Sequence, residues 1–390
     1  MTTDSVIIGW AHSDFGKSDA PDIESLIADV GYGALTHAGL GPEDVDFATI
    51  GVLNSGFSKQ GFEGGLISAA MPELRHVPAV HCENACATGT AALYTAIDFI
   101  ESGRGNVALV LGAEKMTAVS NAEVGDILLC GAYRREEDQV ENGFAGIFAQ
   151  ITQSYFQKYG DHSAEMAMIA AKNHANGMNN PYAHLKKDLG FAFCNRVSDK
   201  NPFVARPLRR TDCSLVSDGA AALVVASREA AQDMKRAIGF RARAHKNDMF
   251  PLSRREMTAF EGAHLAWAEA REQAGITLED LDLVETHDCF TTAEMIEYEA
   301  MGLTPVGQGW KAAREGWTRM DGRLPVNPSG GLKSKGHPIG ATGVSQHVMA
   351  AMQLTNEAGD MQVKGANLAG VFNMGGAAVT NYVSILERVK

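Results

Sequence analysis

No stretch of this chain stays apolar for the roughly 20 residues that a membrane-spanning helix requires, and residues 1–10 lack a basic segment followed by an apolar run. The sequence therefore predicts neither a membrane span nor a secretory leader, and a cytoplasmic location. Cysteine is sparse. Its six copies, Cys82, Cys86, Cys130, Cys194, Cys213 and Cys289, show no CxxC spacing, so neither a disulfide framework nor a zinc ribbon is expected. Basic side chains are outnumbered, 34 against 47 acidic ones, for a formal net charge of -13. That balance argues against a general nucleic-acid binder, and any anionic ligand would need a local basic patch.

With 390 residues, the chain exceeds the usual single-domain size, so two domains or two similar halves are expected. Short aliphatic runs such as Val6-Ile7-Ile8, Val107-Ala108-Leu109-Val110-Leu111 and Ala222-Leu223-Val224-Val225 alternate with helical patterns, the signature of an α/β protein. The chain also repeats itself. Ala38-Gly39-Leu40-Gly41-Pro42-Glu43-Asp44-Val45-Asp46 matches Ala274-Gly275-Ile276-Thr277-Leu278-Glu279-Asp280-Leu281-Asp282. Ala87-Thr88-Gly89 and Ala341-Thr342-Gly343 are a weaker echo, each opening an apolar helical stretch. Residues 118–210 differ in composition and read as an inserted loop or lid domain. The expected division is 1–117 plus 211–235 for the first half, 118–210 for the insertion and 236–390 for the second half. The insertion carries Arg206, Arg209 and Arg210, the densest basic cluster, which is either a solvated face or a phosphate-facing patch.

Three segments carry residue types suited to covalent chemistry. In Asn84-Ala85-Cys86-Ala87-Thr88-Gly89 a cysteine stands among small residues just before a helix. There the helix dipole favours the thiolate, and the cysteine's own N–H can face an oxyanion; buried packing is the alternative. Cys82 lacks that setting and reads as structural. The stretch Asn327 to Gly343 brackets His337 with five glycines and Pro338, placing an imidazole that can take a thiol proton. Lys333 and Lys335 in it are either surface charges or contacts to an anionic cofactor; the P-loop order is absent. Thr286-His287-Asp288-Cys289-Phe290 follows a strand-like run, where α/β folds place ligands. Cys289 could serve as an acid/base and His287 as a hydrogen-bond donor. A metal site is not expected, because adjacent side chains on extended backbone do not converge on one ion. The Gly375-Gly376 pair suits a tight turn.

Taken together, these segments resemble the thiolase superfamily, and specifically thiolases of the sterol carrier protein X type. The likeness runs over essentially the whole chain. Lys172-Asn173-His174 and Asn179-Asn180-Pro181-Tyr182 in the insertion add to it. The resemblance implies a five-layered α/β/α/β/α thiolase fold of two similar halves with an inserted loop domain. It implies a homodimer or tetramer acting on acyl-CoA, with coenzyme A as substrate or product and no permanently bound cofactor. Cys86 would take the acyl group, His337 would activate it, Cys289 would move the α-proton, and His287 would complete an oxyanion site. The N–H groups of Cys86 and Gly375 would hold the oxyanion of acyl transfer, while Arg206, Arg209, Arg210, Lys333 and Lys335 are candidates for the CoA phosphates. General thiolases carry Asn-Glu-Ala-Phe where this chain has His287 to Phe290, and Cys-x-Gly where it has Asn373-Met374-Gly375. Cys289 is thus the remaining acid/base thiol. The expected activity is cleavage of 3-oxoacyl-CoA with CoA, or the reverse Claisen condensation. The alternatives are a C-acyltransferase using a non-CoA acceptor, or a non-catalytic acyl-CoA-binding subunit working with an accessory protein.

Overall fold

A computed structural model describes residues 4–390. Its strands are β1 Ser5–His12, β2 Phe47–Gly51, β3 Ala79–Cys82, β4 Val107–Glu114, β5 Phe203–Ala205, β6 Leu208–Arg209, β7 Gly219–Ser227, β8 Ile238–Asn247, β9 Leu283–Glu285, β10 Leu368–Gly375 and β11 Thr380–Arg388. Its principal helices are α1 Ile23–Ala38, α2 Thr88–Glu101, α3 Asn121–Leu128, α4 Gly143–Tyr159, α5 Ser163–Gly177, α6 Glu261–Ala274, α7 Thr291–Ala300 and α8 Ile339–Leu354.

Nine strands form one continuous sheet in the order β3-β2-β4-β7-β1-β8-β11-β10-β9, while β5 and β6 pair alone. The two halves meet where β1 pairs with β8 through Val6 with Gly239 and Ile7 with Ile238. From that joint outward they repeat the same pairings. β1 is antiparallel to β7 and β7 to β4, with β2 then parallel to β4. β8 is likewise antiparallel to β11 and β11 to β10, with β9 parallel to β10. The repeat seen in the sequence has a bonding basis. Both helices end on a left-handed glycine, Gly39 and Gly275. Asp46 then accepts hydrogen bonds from the N–H groups of Asn106 and Val107, and Asp282 from those of Asn367 and Leu368.

Strand alternation sorts side chains into separate cores. Leu109, Leu111, Ala222 and Val224 pack with Val30 and Ala34 of α1. Their neighbours Ala108, Val110, Leu223 and Val225 pack with α2 and α8, which Ala369 and Val371 of β10 reach from the other half. Phe372 and Met374, on the opposite face of β10, pack with Trp267 and Ala270 of α6. The layers are thus α1, sheet, α2 with α8, sheet, α6, the five-layered arrangement expected. The Ala-Thr-Gly echo marks the crossing of the two central helices. A Cβ on Gly89 would lie 2.8 Å from the Gly340 carbonyl, so only glycine permits this approach. Between β4 and β7 the chain leaves the sheet to form α3, α4, α5 and the β5–β6 hairpin, and Val124 and Ile127 of α3 pack with Cys86 and Ile339 at the starts of the central helices.

Candidate active site

Cys86 lies just before α2, after Ala85, which adopts the left-handed region at φ 48°. Holding a non-glycine residue there costs about 1–2 kcal/mol, so the turn must be fixed from outside. Thr88 Oγ1 accepts from the Asn84 N–H, and the Asn84 side chain donates to Tyr382 and Thr380. The Cys86 thiol is buried, at 8% exposure. Contrary to the expectation from the helix dipole, it is pushed up to about 12. Burial is the main cause and Cys130 nearby adds to it, while the N–H groups of Gly376 and of Cys86 itself act in the opposite direction. The N–H of Gly375 was expected beside that of Cys86 in the oxyanion hole of acyl transfer, a different place from the sulfur. A Cβ on Gly375 would sit 2.4 Å from the Asn84 carbonyl, so the strand passes close to the Cys86 turn there, and the N–H acting on the sulfur is that of the next residue.

His337 is buried at the start of α8, and Nδ1 lies 2.7 Å from Thr342 Oγ1. The Thr342 hydroxyl donates its only proton to the Pro338 carbonyl at 2.8 Å, so it accepts from His337 Nδ1–H. This tautomer leaves Nε2 as a free base. Burial, with the Lys335 charge second, depresses the ring to about 3, so it is neutral in the resting site.

His287 holds the opposite tautomer. Asn373 Nδ2 lies 3.0 Å from His287 Nδ1 and 3.0 Å from the Cys86 carbonyl, while Asn373 Oδ1 accepts from Thr90 at 2.7 Å. A backbone carbonyl only accepts, which identifies the amide nitrogen of Asn373. His287 Nδ1 is therefore an acceptor and the proton sits on Nε2. That Nε2–H is buried and has no partner, a donor without an acceptor inside the site. The two imidazoles meet edge to face at 5.1 Å. The sulfur of Cys86 and a ring nitrogen from each histidine lie within 4.8 Å of one another. The trio could be read as a metal site, but with the proton on Nε2 His287 presents a donor there rather than a lone pair, which suits an oxyanion better.

Cys289 opens onto the same cavity as Cys86 and His337, a space of about 470 Å³. Burial and then the neighbouring Cys86 raise its pKa well above the ordinary thiol value, so it rests protonated. The segment carrying His287 and Cys289 is fastened from behind. Asp288 accepts from the N–H groups of Leu332 and Lys333 at 2.6 and 3.1 Å and from Asn173 at 2.7 Å. Beside Asn173 on α5, Lys172 pairs with Glu294 of α7 at 2.6 Å.

The basic candidates divide. Arg210 is exposed and lines the Cys86 cavity. Arg206 is exposed and stacks over Phe203. Arg209, by contrast, is buried and ion-paired with Asp212 at 2.7 Å, a structural role rather than a phosphate contact. Lys333 and Lys335 are also buried, at 2% and 1% exposure. Lys335 donates to Ser345, and Lys333 lies among Cys213, Asp288 and Asp212. Neither can reach a solvent-borne phosphate. Asn373 was missed as a functional residue; the only sign was that it stands where other thiolases carry a cysteine.

The thiolase N-terminal domain matches residues 5–197 and the thiolase C-terminal domain-like family matches residues 243–388. An acetyl-CoA acetyltransferase from Methanothermobacter thermautotrophicus is 34% identical over 99% of this chain and 100% of its own. Human sterol carrier protein 2 is 34% identical over 93% of this chain and 68% of its own. Among solved structures, an Ltp2-ChsH2(DUF35) aldolase superimposes with a TM-score of 0.83 at 19% identity, over 98% of this chain and 97% of that one. A monomeric SCP2-thiolase like protein type 1 from Mycobacterium smegmatis gives 0.74 at 16% identity, over 98% and 77% respectively. With full-length relatives at this level of identity, and with the sequence segments that carry the resemblance converging on one pocket, the chain belongs to the thiolase family.

Proposed function

We propose that this protein is a thiolase-type acyltransferase that cleaves 3-oxoacyl-CoA with CoA, or runs the reverse Claisen condensation, through an acyl-Cys86 intermediate. The carrying observation is the opposite tautomers of two touching histidines beside a buried thiol. One ring offers a base and the other a fixed donor.

In the thiolysis direction His337 Nε2 takes the Cys86 proton as the sulfur attacks the 3-keto carbon. The N–H groups of Cys86 and Gly375 hold the resulting oxyanion. Its collapse breaks the bond between C2 and C3, and the electron pair moves onto the thioester as an enolate. His287 Nε2–H and the now protonated His337 donate to the enolate oxygen, and the Cys289 thiol delivers its proton to C2. The shortened acyl-CoA leaves. A CoA thiol then gives its proton to the Cys289 thiolate and attacks the acyl-cysteine, and the departing Cys86 sulfur recovers its proton from His337. A raised thiol pKa at Cys86 fits this scheme, since deprotonation is coupled to attack instead of preceding it.

Arg206 and Arg210, both exposed, are the basic candidates for the CoA phosphates, and the position of Arg210 on the wall of the Cys86 cavity supports its share. A homodimer is part of the proposal: β3 is an edge strand, Val80 on it is 41% exposed, and Phe62 at the start of the neighbouring helix is 85% exposed. A second copy adding to that edge would cover them. Six free cysteines support a reducing, cytoplasmic setting. The test is CoA-dependent cleavage of 3-oxoacyl-CoA followed by chromatography of the acyl-CoA products. Turnover lost in both Cys86→Ala and Cys289→Ala supports the scheme. Turnover retained in Cys86→Ala refutes it.

A further inference from the structure

The cavity beside Cys86 is far larger than an acetyl group, and its walls are mostly apolar, including Met116, Phe144, Val216 and Ile339. One wall is a single helix face. Asn121, Val124, Gly125 and Leu128 of α3 follow the three- and four-residue spacing of adjacent turns, and all four line the cavity. Glycine is disfavoured inside a helix, so Gly125 calls for a reason. No backbone requirement supplies one: its φ is not positive, and a Cβ built there meets no atom within 4 Å. The missing side chain leaves space on the face turned toward the nucleophile.

We propose that Gly125 sets the size of the acyl group, and that the cavity takes apolar acyl chains longer than acetyl. This rests on the acyltransferase reading above. A leucine at 125 would occupy the room of several methylene groups, each worth about fourfold in binding. The added Cβ itself would displace no neighbour.

Two measurements separate this proposal from the reading beneath it. In the first, kcat/KM is compared for acetoacetyl-CoA and 3-oxodecanoyl-CoA in the wild type, Gly125→Ala and Gly125→Leu. The expected result is a loss of at least about tenfold on the longer substrate in Gly125→Leu. Acetoacetyl-CoA should stay within about twofold, with Gly125→Ala intermediate. In the second, the rate of Cys86 labelling by N-methylmaleimide and N-octylmaleimide is read by peptide mass analysis. This reports the cavity without any turnover. The wild type should favour the octyl reagent and Gly125→Leu should not. Equal losses on both substrates, or an octyl preference unchanged in Gly125→Leu, would overturn the proposal. A length-dependent label without cleavage of any 3-oxoacyl-CoA would instead refute the acyltransferase reading and leave the cavity assignment supported.

Discussion

Asn373 makes a sharp test because it touches no reacting atom in the proposed scheme. Its amide joins the Cys86 carbonyl, His287 Nδ1 and the Thr90 hydroxyl at 3.0, 3.0 and 2.7 Å. Asn373→Ala removes the group that keeps the His287 proton on Nε2. An oxyanion donor that is lost or wrongly oriented costs roughly 10²–10³-fold in kcat. The buried groups left without partners would cost about 1–3 kcal/mol each in stability. The assay is exchange of the acetyl-CoA methyl protons with deuterated water, which needs the enolate, measured beside acylation of Cys86, which does not. Exchange should fall by roughly 10²–10³-fold and acylation by less than about tenfold. A double-mutant cycle isolates the cause: if Asn373 acts through His287, Asn373→Ala should cost less than about threefold in a His287→Ala background. Additive losses would refute the positioning role, as would unchanged exchange in the single variant.

Other outcomes follow from the same geometry. A Cys86 thiol at about 12 stays mostly protonated at neutral pH, so its alkylation by iodoacetamide should climb about tenfold per unit between pH 7 and 9 without levelling off. A plateau near neutrality would mean a resting thiolate. The same shift has a stability sign: the unfolded chain ionises first, so the contribution from this thiol is present below its ordinary value of 9.0 and lost as pH rises from there toward 12. Arg209→Ala should destabilise the protein by about 3–5 kcal/mol in chemical denaturation, because it breaks the ion pair of the buried Asp212. Arg210→Ala should stay within about 0.5 kcal/mol of wild type while raising KM for CoA. In Gly343→Ala the new Cβ would lie 2.4 Å from Asn373 Oδ1 and from the Thr90 N–H nitrogen. It should lose about 1–3 kcal/mol by overpacking, and deuterium exchange should fall with it.

Much of this was legible in the sequence where local chemistry decides. The two glycine-ended helices, each followed by an aspartate, announced the repeated halves, because the capping and the bonds from Asp46 and Asp282 are local rules. The glycines around His337 and the small residues around Cys86 announced close backbone approach. Burial was not legible. Arg209, Lys333 and Lys335 look like surface charges in one dimension, and only packing places them inside with Asp212 and Ser345. For the same reason the helix dipole misled about Cys86, where desolvation outweighs it. The joining of the two halves into one sheet was also hidden, since it depends on two residue pairs between β1 and β8. Asn373 escaped notice because its partners lie 283 to 287 residues away for Thr90 and Cys86, beyond any motif window.

The central claim is that Cys86 carries the acyl group while Cys289 moves protons. Brief incubation with acetyl-CoA followed by peptide mass analysis tests it directly. An acetyl group on the Cys86 peptide is predicted, absent in Cys86→Ala and still formed in Cys289→Ala. Acetylation of Cys289 in place of Cys86, or no adduct from acetyl-CoA or longer acyl donors, would contradict the account.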